Sequence, residues 1–230
     1  MTILCIETST NACSAAICID GKAVATQENL SGANHASELP VFIDELLQQA
    51  ASNNWTLDAV ALSQGPGSYT GLRIGTSIAK GICYGLNIPL IPLNTLQILC
   101  VAAQNSTPAD ALLCPMLDAR RMEVYTAFFH PTTLQQQGEV EAKVIDQTSF
   151  VDELSTTKLL FFGNGATKCQ TVIQSPNAQF LDNILPHAKC MGTLAEQQAA
   201  AALDTKQMAY YEPFYLKEFV PAPSHIKGLK

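Results

Sequence analysis

The 230-residue sequence is poor in charge. Only 14% of its residues are Asp, Glu, Lys or Arg, and the 13 basic against 20 acidic side chains leave a net charge of −7. No basic run is longer than the pair Arg120-Arg121. Free-standing binding to nucleic acid is therefore not expected, because phosphate contacts need clustered cations. No apolar stretch reaches the roughly 18 residues of a membrane span. Met1 runs directly into "ILCI", with no basic leader before it and no small-residue cleavage site after it. That start reads as a strand and not as a signal peptide, which implies a cytoplasmic protein. None of the eight cysteines forms a C-x-x-C pair, and most sit in apolar runs. They read as buried free thiols of a reducing compartment, with a catalytic cysteine as the lesser alternative. The four histidines, His35, His130, His187 and His225, include no i, i+4 pair. A local zinc site therefore has no support. G-x-S-x-G is absent as well. A Ser/His/Asp trio assembled across the fold stays open.

What is present is a regular order of elements. "TILCIETS" reads as a strand, and "ACSAAICID" as a second that ends in the hairpin signal Asp20-Gly21. "KAVATQE" is the third. "ASELPVFIDELLQQAA" has the spacing of an amphipathic helix, which can tolerate Pro40 only in its first turn. "LDAVALS" is a buried strand, "LRIGTSIAKGICYGL" a helix closed by Gly85 and Asn87, "IPLIPL" a strand and "TLQILCVAAQ" a helix. Residues 1–103 thus run βββαβαβα. A meander feeding parallel strands gives a mixed sheet flanked by helices. This is the order of the ribonuclease-H-like lobe of actin-like ATPases and sugar kinases. The expected fold class is α/β, two-lobed, with residues 104–230 as a second, reduced lobe whose C-terminal segment can return to the first. In that half "ALLCPMLDA" and "MEVYTAFF" flank the turn "RR" as a hairpin, with Asp118 and Arg120 bracing it or Asp118 serving a site. "KLLFFGNGATKCQTVIQ" reads as strand, glycine turn and helix, and "TLAEQQAAAAL" as a helix. The tail from Glu212 carries three prolines and is expected to lie extended on the surface.

"SQGPGSYTGLRIG", residues 63–75, raises the functional question. A phosphate-binding loop of the Walker type needs Lys and Ser or Thr where Leu72-Arg73 stands, and Gly65 and Gly71 are too far apart. A dinucleotide loop fails because its third glycine arrives one residue late. Ser68 or Thr70 can cap the following helix. Gly71, Gly75, Gly81 and Gly85 flatten its surface, each at a cost of roughly 0.5–1 kcal/mol against alanine. Contact with another backbone is the favoured explanation. Anion binding at the helix N-terminus and plain scaffolding are the alternatives. The first hairpin turn, Thr8, Ser9, Thr10 and Asn11 after Glu7, sits where actin-like ATPases hold magnesium and phosphates. It reads equally as a vestigial phosphate loop or as a polar tip. His35 is expected to be exposed ahead of a helix.

The stretches "ILCIETSTNACSAAI" and "SQGPGSYTGLRIGTSIAKGICYGLNIPLIPLNTLQ", with "LDARRMEVYTAFF" and "EPFYLK", closely resemble the TsaB family, formerly called YeaZ, over nearly the full chain. TsaB proteins resemble TsaD, which attaches threonylcarbamoyl to the adenosine beside the anticodon of tRNA. The resemblance implies a non-catalytic subunit that pairs with TsaD, is joined by the ATPase TsaE, reaches tRNA only through that complex, and forms a homodimer without its partners. It implies no cofactor of its own, with ATP or ADP admissible at the TsaD junction. TsaD holds a metal through two histidines in "NHLEGH"; Thr95 and Leu99 of "NTLQIL" stand at those positions here. Glu7, Gln64 and Tyr69 depart from the usual Asp, Arg and Phe. The expected partner face comprises Leu39, Ile43, Leu46, Leu72, Ile74, Gly75, Ile78 and Ile82 on the first two helices. A glycoprotease-type peptidase acting on TsaD, and an autonomous ATPase or sugar kinase, are the competing readings.

Overall fold

A computed structural model describes residues 1–32 and 34–217. Its first sheet is built from β1 (Thr2–Glu7), β2 (Cys13–Ile19), β3 (Lys22–Asn29), β4 (Ala59–Gly65) and β5 (Leu90–Asn94), in the order β3-β2-β1-β4-β5. β1 is antiparallel to β2 and parallel to β4. Nearly every residue of β1, β2 and β4 is buried, as expected of strands covered on both faces. α1 (His35–Ser52) and α2 (Tyr69–Leu86) cover one face. They meet Leu4, Ile6, Ala15, Ile17, Val60 and Leu62 there. α1 begins earlier than its pattern predicts, so Pro40 lies inside the helix and withholds one backbone donor from it. α2 begins at Tyr69 with Ser68 as N-cap, and Asn87 closes it in the left-handed conformation.

The second sheet contains β6 (Ala111–Asp118), β7 (Glu123–Phe129), β8 (Gln136–Val144), β9 (Lys158–Phe162) and β10 (Ala178–Leu181), in the order β10-β9-β6-β7-β8. β6 is antiparallel to β7 and parallel to β9. It therefore repeats the role of β1, and the two sheets share one topology. The expected two-lobed, actin-like fold is present. Its second lobe keeps all five strands and is reduced in its helices. α4 (Val151–Thr156) has 6 residues where α1 and α2 have 18 each.

α3 (Thr95–Ala103) lies between the sheets. Ile98 packs on the first, while Leu96, Leu99, Cys100 and Ala103 pack on the second with Leu113, Phe129 and Phe162. The expected helix after Gly165 is only a tight turn at Thr167–Cys169. Ala166, Cys169 and Ile173 are buried in the core there, and Val172 packs partly buried beside them. α5 (Gly192–Gln198) ends in a further tight turn, and α6 (Thr205–Ala209) follows.

The chain after Ala188 returns to the first sheet. Ala188, Met191, Leu194 and Ala195 cover its second face against Ile3, Cys5, Ala16, Ile91 and Leu93. Leu203 exchanges backbone hydrogen bonds with Leu90, and Met208 enters the core beneath α2. Seven cysteines are buried, Cys190 is half-buried, and all are free thiols. Among the described residues no helix is long and apolar enough to cross a membrane. His225 and the last two prolines of the tail lie outside the described residues.

Candidate functional site

The loop Gly65–Ser68 carries the chain from β4 into α2 and lies on the first hairpin turn. Ser68 N–H donates to the Ser9 carbonyl at 2.6 Å. The Ser68 hydroxyl accepts from Gly71 N–H at 3.2 Å. A Cβ at Gly71 would fall on the Thr8 carbonyl oxygen, and one at Gly75 would lie 2.5 Å from the Thr8 hydroxyl. These two glycines let the helix rest on Thr8, on its backbone at Gly71 and on its side chain at Gly75. Gly81 and Gly85 are different: nothing lies within 4 Å of where their Cβ atoms would be.

Within the turn, Thr8, Ser9 and Thr10 are buried, and Asn11 alone is exposed. Ser9 donates both its N–H, at 2.6 Å, and its hydroxyl to Glu7 Oε1. Thr8 N–H donates to the Ser63 hydroxyl at 3.4 Å, and Ala12 N–H to that of Thr10 at 3.2 Å. Ser9 thus spends both of its donors on the chain's own Glu7, and the Thr8 N–H is spent on Ser63. Glu7 itself is fully buried, and its Oε2 has no partner. Burial pushes its carboxyl up to about 7, against the opposing pull of its Ser9 hydrogen bonds.

The expected partner face divides. Leu39, Ile43 and Leu46 point into the core beneath α1, and Leu72 and Gly75 are buried under α2. The four apolar side chains form the stripes that hold the helices to the sheet, and Gly75 rests on Thr8, so none of the five is open to a partner in this fold. Ile74, Ile78 and Ile82 are half-buried along α2. Beside them stand the open Gly81 and Gly85, the exposed Leu86 and, farther round the helix, Tyr84, which is 79% exposed. On α1, Val41 is exposed.

Thr95 and Leu99 are both fully buried at α3. The Thr95 hydroxyl lacks a partner, and Leu99 packs in the second-sheet core. Leucine offers no lone pair to a metal. His35 is half-buried and not free; its Nε2 lies 3.1 Å from the Ala12 carbonyl oxygen. His187, which the sequence did not single out, is buried. Its Nδ1 accepts from Lys189 N–H at 3.2 Å while Nε2 meets Glu28. Burial lowers its pKa, and Glu28 pulls the other way.

The segment after α6 crosses from one sheet to the other. Phe214 N–H donates to the Gln64 carbonyl at 2.7 Å. Arg73 lies 4.4 Å from the Tyr69 ring centre and donates to the Tyr215 hydroxyl at 3.3 Å. A cleft of about 200 Å³ opens there between Arg73, Thr76, Ser77 and Glu212. Lys217 then pairs with Glu123 at the start of β7.

At the β6–β7 turn, Arg120 and Arg121 both have positive φ, 71° and 47°. For residues with side chains, that conformation costs on the order of 1–3 kcal/mol each. The turn is held in it. Arg120 N–H donates to Asp118 Oδ1 at 3.0 Å, and Asp118 N–H to Asn164 Oδ1 at 3.0 Å. Lys168 meets both Asp118 and the Glu123 carbonyl. Asp118 thus braces the turn through the Arg120 backbone rather than its guanidinium.

A family model described as TsaD, tRNA N6-adenosine threonylcarbamoyltransferase, matches residues 25–221. The chain is 30% identical over 202 residues to the tRNA threonylcarbamoyladenosine biosynthesis protein TsaB of Bacillus subtilis, covering 85% of this chain and 82% of that protein. It is 36% identical over 125 residues to TsaB of Haemophilus influenzae, where the match spans about half of each protein, 54% and 52%. Among solved structures it is similar to YeaZ from Pseudomonas aeruginosa, with a TM-score of 0.78, 27% identity, and coverage of 94% of this chain and 99% of that one.

Proposed function

We propose that this chain, which belongs to the TsaB (YeaZ) family within the wider TsaD group, works in the biosynthesis of threonylcarbamoyladenosine in tRNA as a non-catalytic subunit. In this reading it holds a TsaD-like catalytic subunit and a TsaE-like ATPase in a working arrangement. Without them it pairs with a second copy of itself, and tRNA reaches it only within the assembly. It carries no cofactor of its own, and any ATP or ADP sits at the junction with the TsaD-like subunit.

The observation that carries this reading is the open half of α2. An interior helix glycine costs roughly 0.5–1 kcal/mol relative to alanine. Gly71 and Gly75 repay that cost inside the chain, by letting α2 lie on Thr8. Gly81 and Gly85 gain nothing inside it. They lie one turn apart beside the half-buried Ile74, Ile78 and Ile82. A flat glycine and isoleucine strip is what a second helix needs in order to approach closely. The partner face is therefore the outer side of α2, with Val41 of α1, and not the side that faces the sheet.

Reconstitution tests the reading. Purified chain is mixed with TsaD-like and TsaE-like subunits, ATP, threonine, bicarbonate, unmodified tRNA and the enzyme that supplies the threonylcarbamoyl donor. Complex mass is measured by light scattering, and modified adenosine by nucleoside chromatography. The expected result is a complex containing this chain and at least a tenfold loss of modification when it is left out. Equal modification in its absence would overturn the proposal.

A further inference from the structure

We infer that the β6–β7 turn is a docking point for the phosphate backbone of RNA, gripped by Arg120 and Arg121. The inference rests on the proposed role in tRNA modification and names the surface of this chain that would meet the tRNA. The chain has three arginines. Arg73 is engaged with Tyr69 and Tyr215. The other two stand side by side at an exposed hairpin tip, where the Arg120 charge acts on the nearby Tyr125 hydroxyl and no side-chain hydrogen bond or ion pair ties down either guanidinium among the described residues. The turn holds both in the left-handed conformation that Asn and Gly adopt far more readily. Asp118, Asn164 and Lys168 fix that geometry through the backbone. The backbone is thus built to present two cations that do nothing for the fold itself.

The surrounding charges agree. Lys168 and Lys217 neutralise the two nearby carboxylates, Asp118 and Glu123. Four cations and two carboxylates leave a surplus of two positive charges at this tip, on a chain whose net charge is −7. The chemistry that fits two free, rigidly mounted guanidinium forks is a row of phosphates. A protein partner is less suited, because an arginine in such an interface works within a desolvated patch of aromatic and apolar anchors. Val144, opposite Glu123, is the one large exposed hydrophobe beside the turn among the described residues.

The test is tRNA affinity of the reconstituted complex along a salt series, measured by filter binding. The variant is Arg120→Asn with Arg121→Gly, which removes both guanidiniums and supplies residues suited to the turn. Its melting temperature should be unchanged or higher, so weaker binding cannot come from misfolding. The expected result is about a tenfold loss of affinity and a salt slope shallower by about 1 to 2, with subunit association intact. Arg120→Lys with Arg121→Lys should keep the slope and lose only part of the affinity. Unchanged tRNA affinity and slope would overturn the inference. So would unchanged tRNA binding with lost subunit association, which would assign the turn to an acidic protein face. Unchanged tRNA binding with weakened binding of ATP would assign the turn to a nucleotide and overturn the inference too. If the unaltered chain forms no complex, it is the proposed function that falls. If that complex forms and the variant binds tRNA as the parent does, only this inference falls.

Discussion

Glu7 is a carboxyl with one satisfied oxygen and one orphan, sealed under the first hairpin turn. Its folded-state pKa of about 7 lies above the ordinary 4.5, so the folded chain binds this proton more tightly than the unfolded chain does. Its contribution to stability is complete below about pH 4.5 and is lost as the pH rises through about 7, at up to about 1.4 kcal/mol per pH unit. Glu7→Gln keeps an oxygen that accepts from Ser9 and cannot ionise. The stability difference between variant and parent should grow in the variant's favour from about pH 4.5 to about pH 7, reaching on the order of 3 kcal/mol, and then level off. Urea unfolding at a series of pH values measures it. A difference that stays constant with pH would show that the carboxyl is not the group described. The position of Glu7 at the end of β1 was legible in the sequence, but its burial was not. A polar run "ETSTN" reads as a surface tip, and only the glycine loop folding over it, through Ser68 on Ser9, takes it away from water.

At the scale of the element, α2 shows what an apolar pattern conveys and what it leaves open. Its helical period and its glycines were plain in the sequence. Which apolar side faces the sheet was not, because Leu72 and Ile78 look alike until the sheet is in place. The two glycine pairs separate on the same ground, inner Gly71 and Gly75 from outer Gly81 and Gly85. Gly81→Ala has room for its methyl group, so it should stabilise the isolated chain by roughly 0.5–1 kcal/mol. The same change should weaken the proposed pairing with a TsaD-like subunit, read by calorimetry as at least a fewfold rise in Kd. Stabilisation with unchanged pairing would move the docking face off this strip. The other elements divide similarly. The meander and parallel strands of residues 1–103 announced themselves through buried runs punctuated by Asp20-Gly21 and Asn87. β8 did not, since Gln136–Val144 is an edge strand with mostly exposed polar residues, and polar edges carry little period to read.

For the whole molecule, α3 is the common member of both lobes. Ile98 belongs to the first-sheet core, and Leu96, Leu99 and Cys100 to the second. The segment from Leu203 to Lys217 adds a second tie, from Leu90 and Gln64 to Glu123. Two lobes so joined should unfold together. Trp55, the single tryptophan, packs against the first-lobe core and reports on that lobe, whereas far-ultraviolet circular dichroism reports on both. The two urea transitions should coincide in midpoint and slope. Leu99→Ala should shift both together by about 2–5 kcal/mol, although it lies in the second-lobe core. Separate midpoints would mean that the joints are weaker than the packing implies.

The late return of the chain to the first sheet bears on how the protein is made. β1 to β5 are complete at Asn94, yet their second face is clothed by Ala188, Met191, Leu194 and Ala195, translated about 100 residues later. At a synthesis rate of about 5–20 residues per second, the nascent sheet waits roughly 5–20 s with Ile3, Cys5, Ala16 and Leu93 covered only by Ile98 and Val101 of α3. Until then the sheet presents the kind of apolar face that chaperones bind, and the lobe is finished only after the second has emerged.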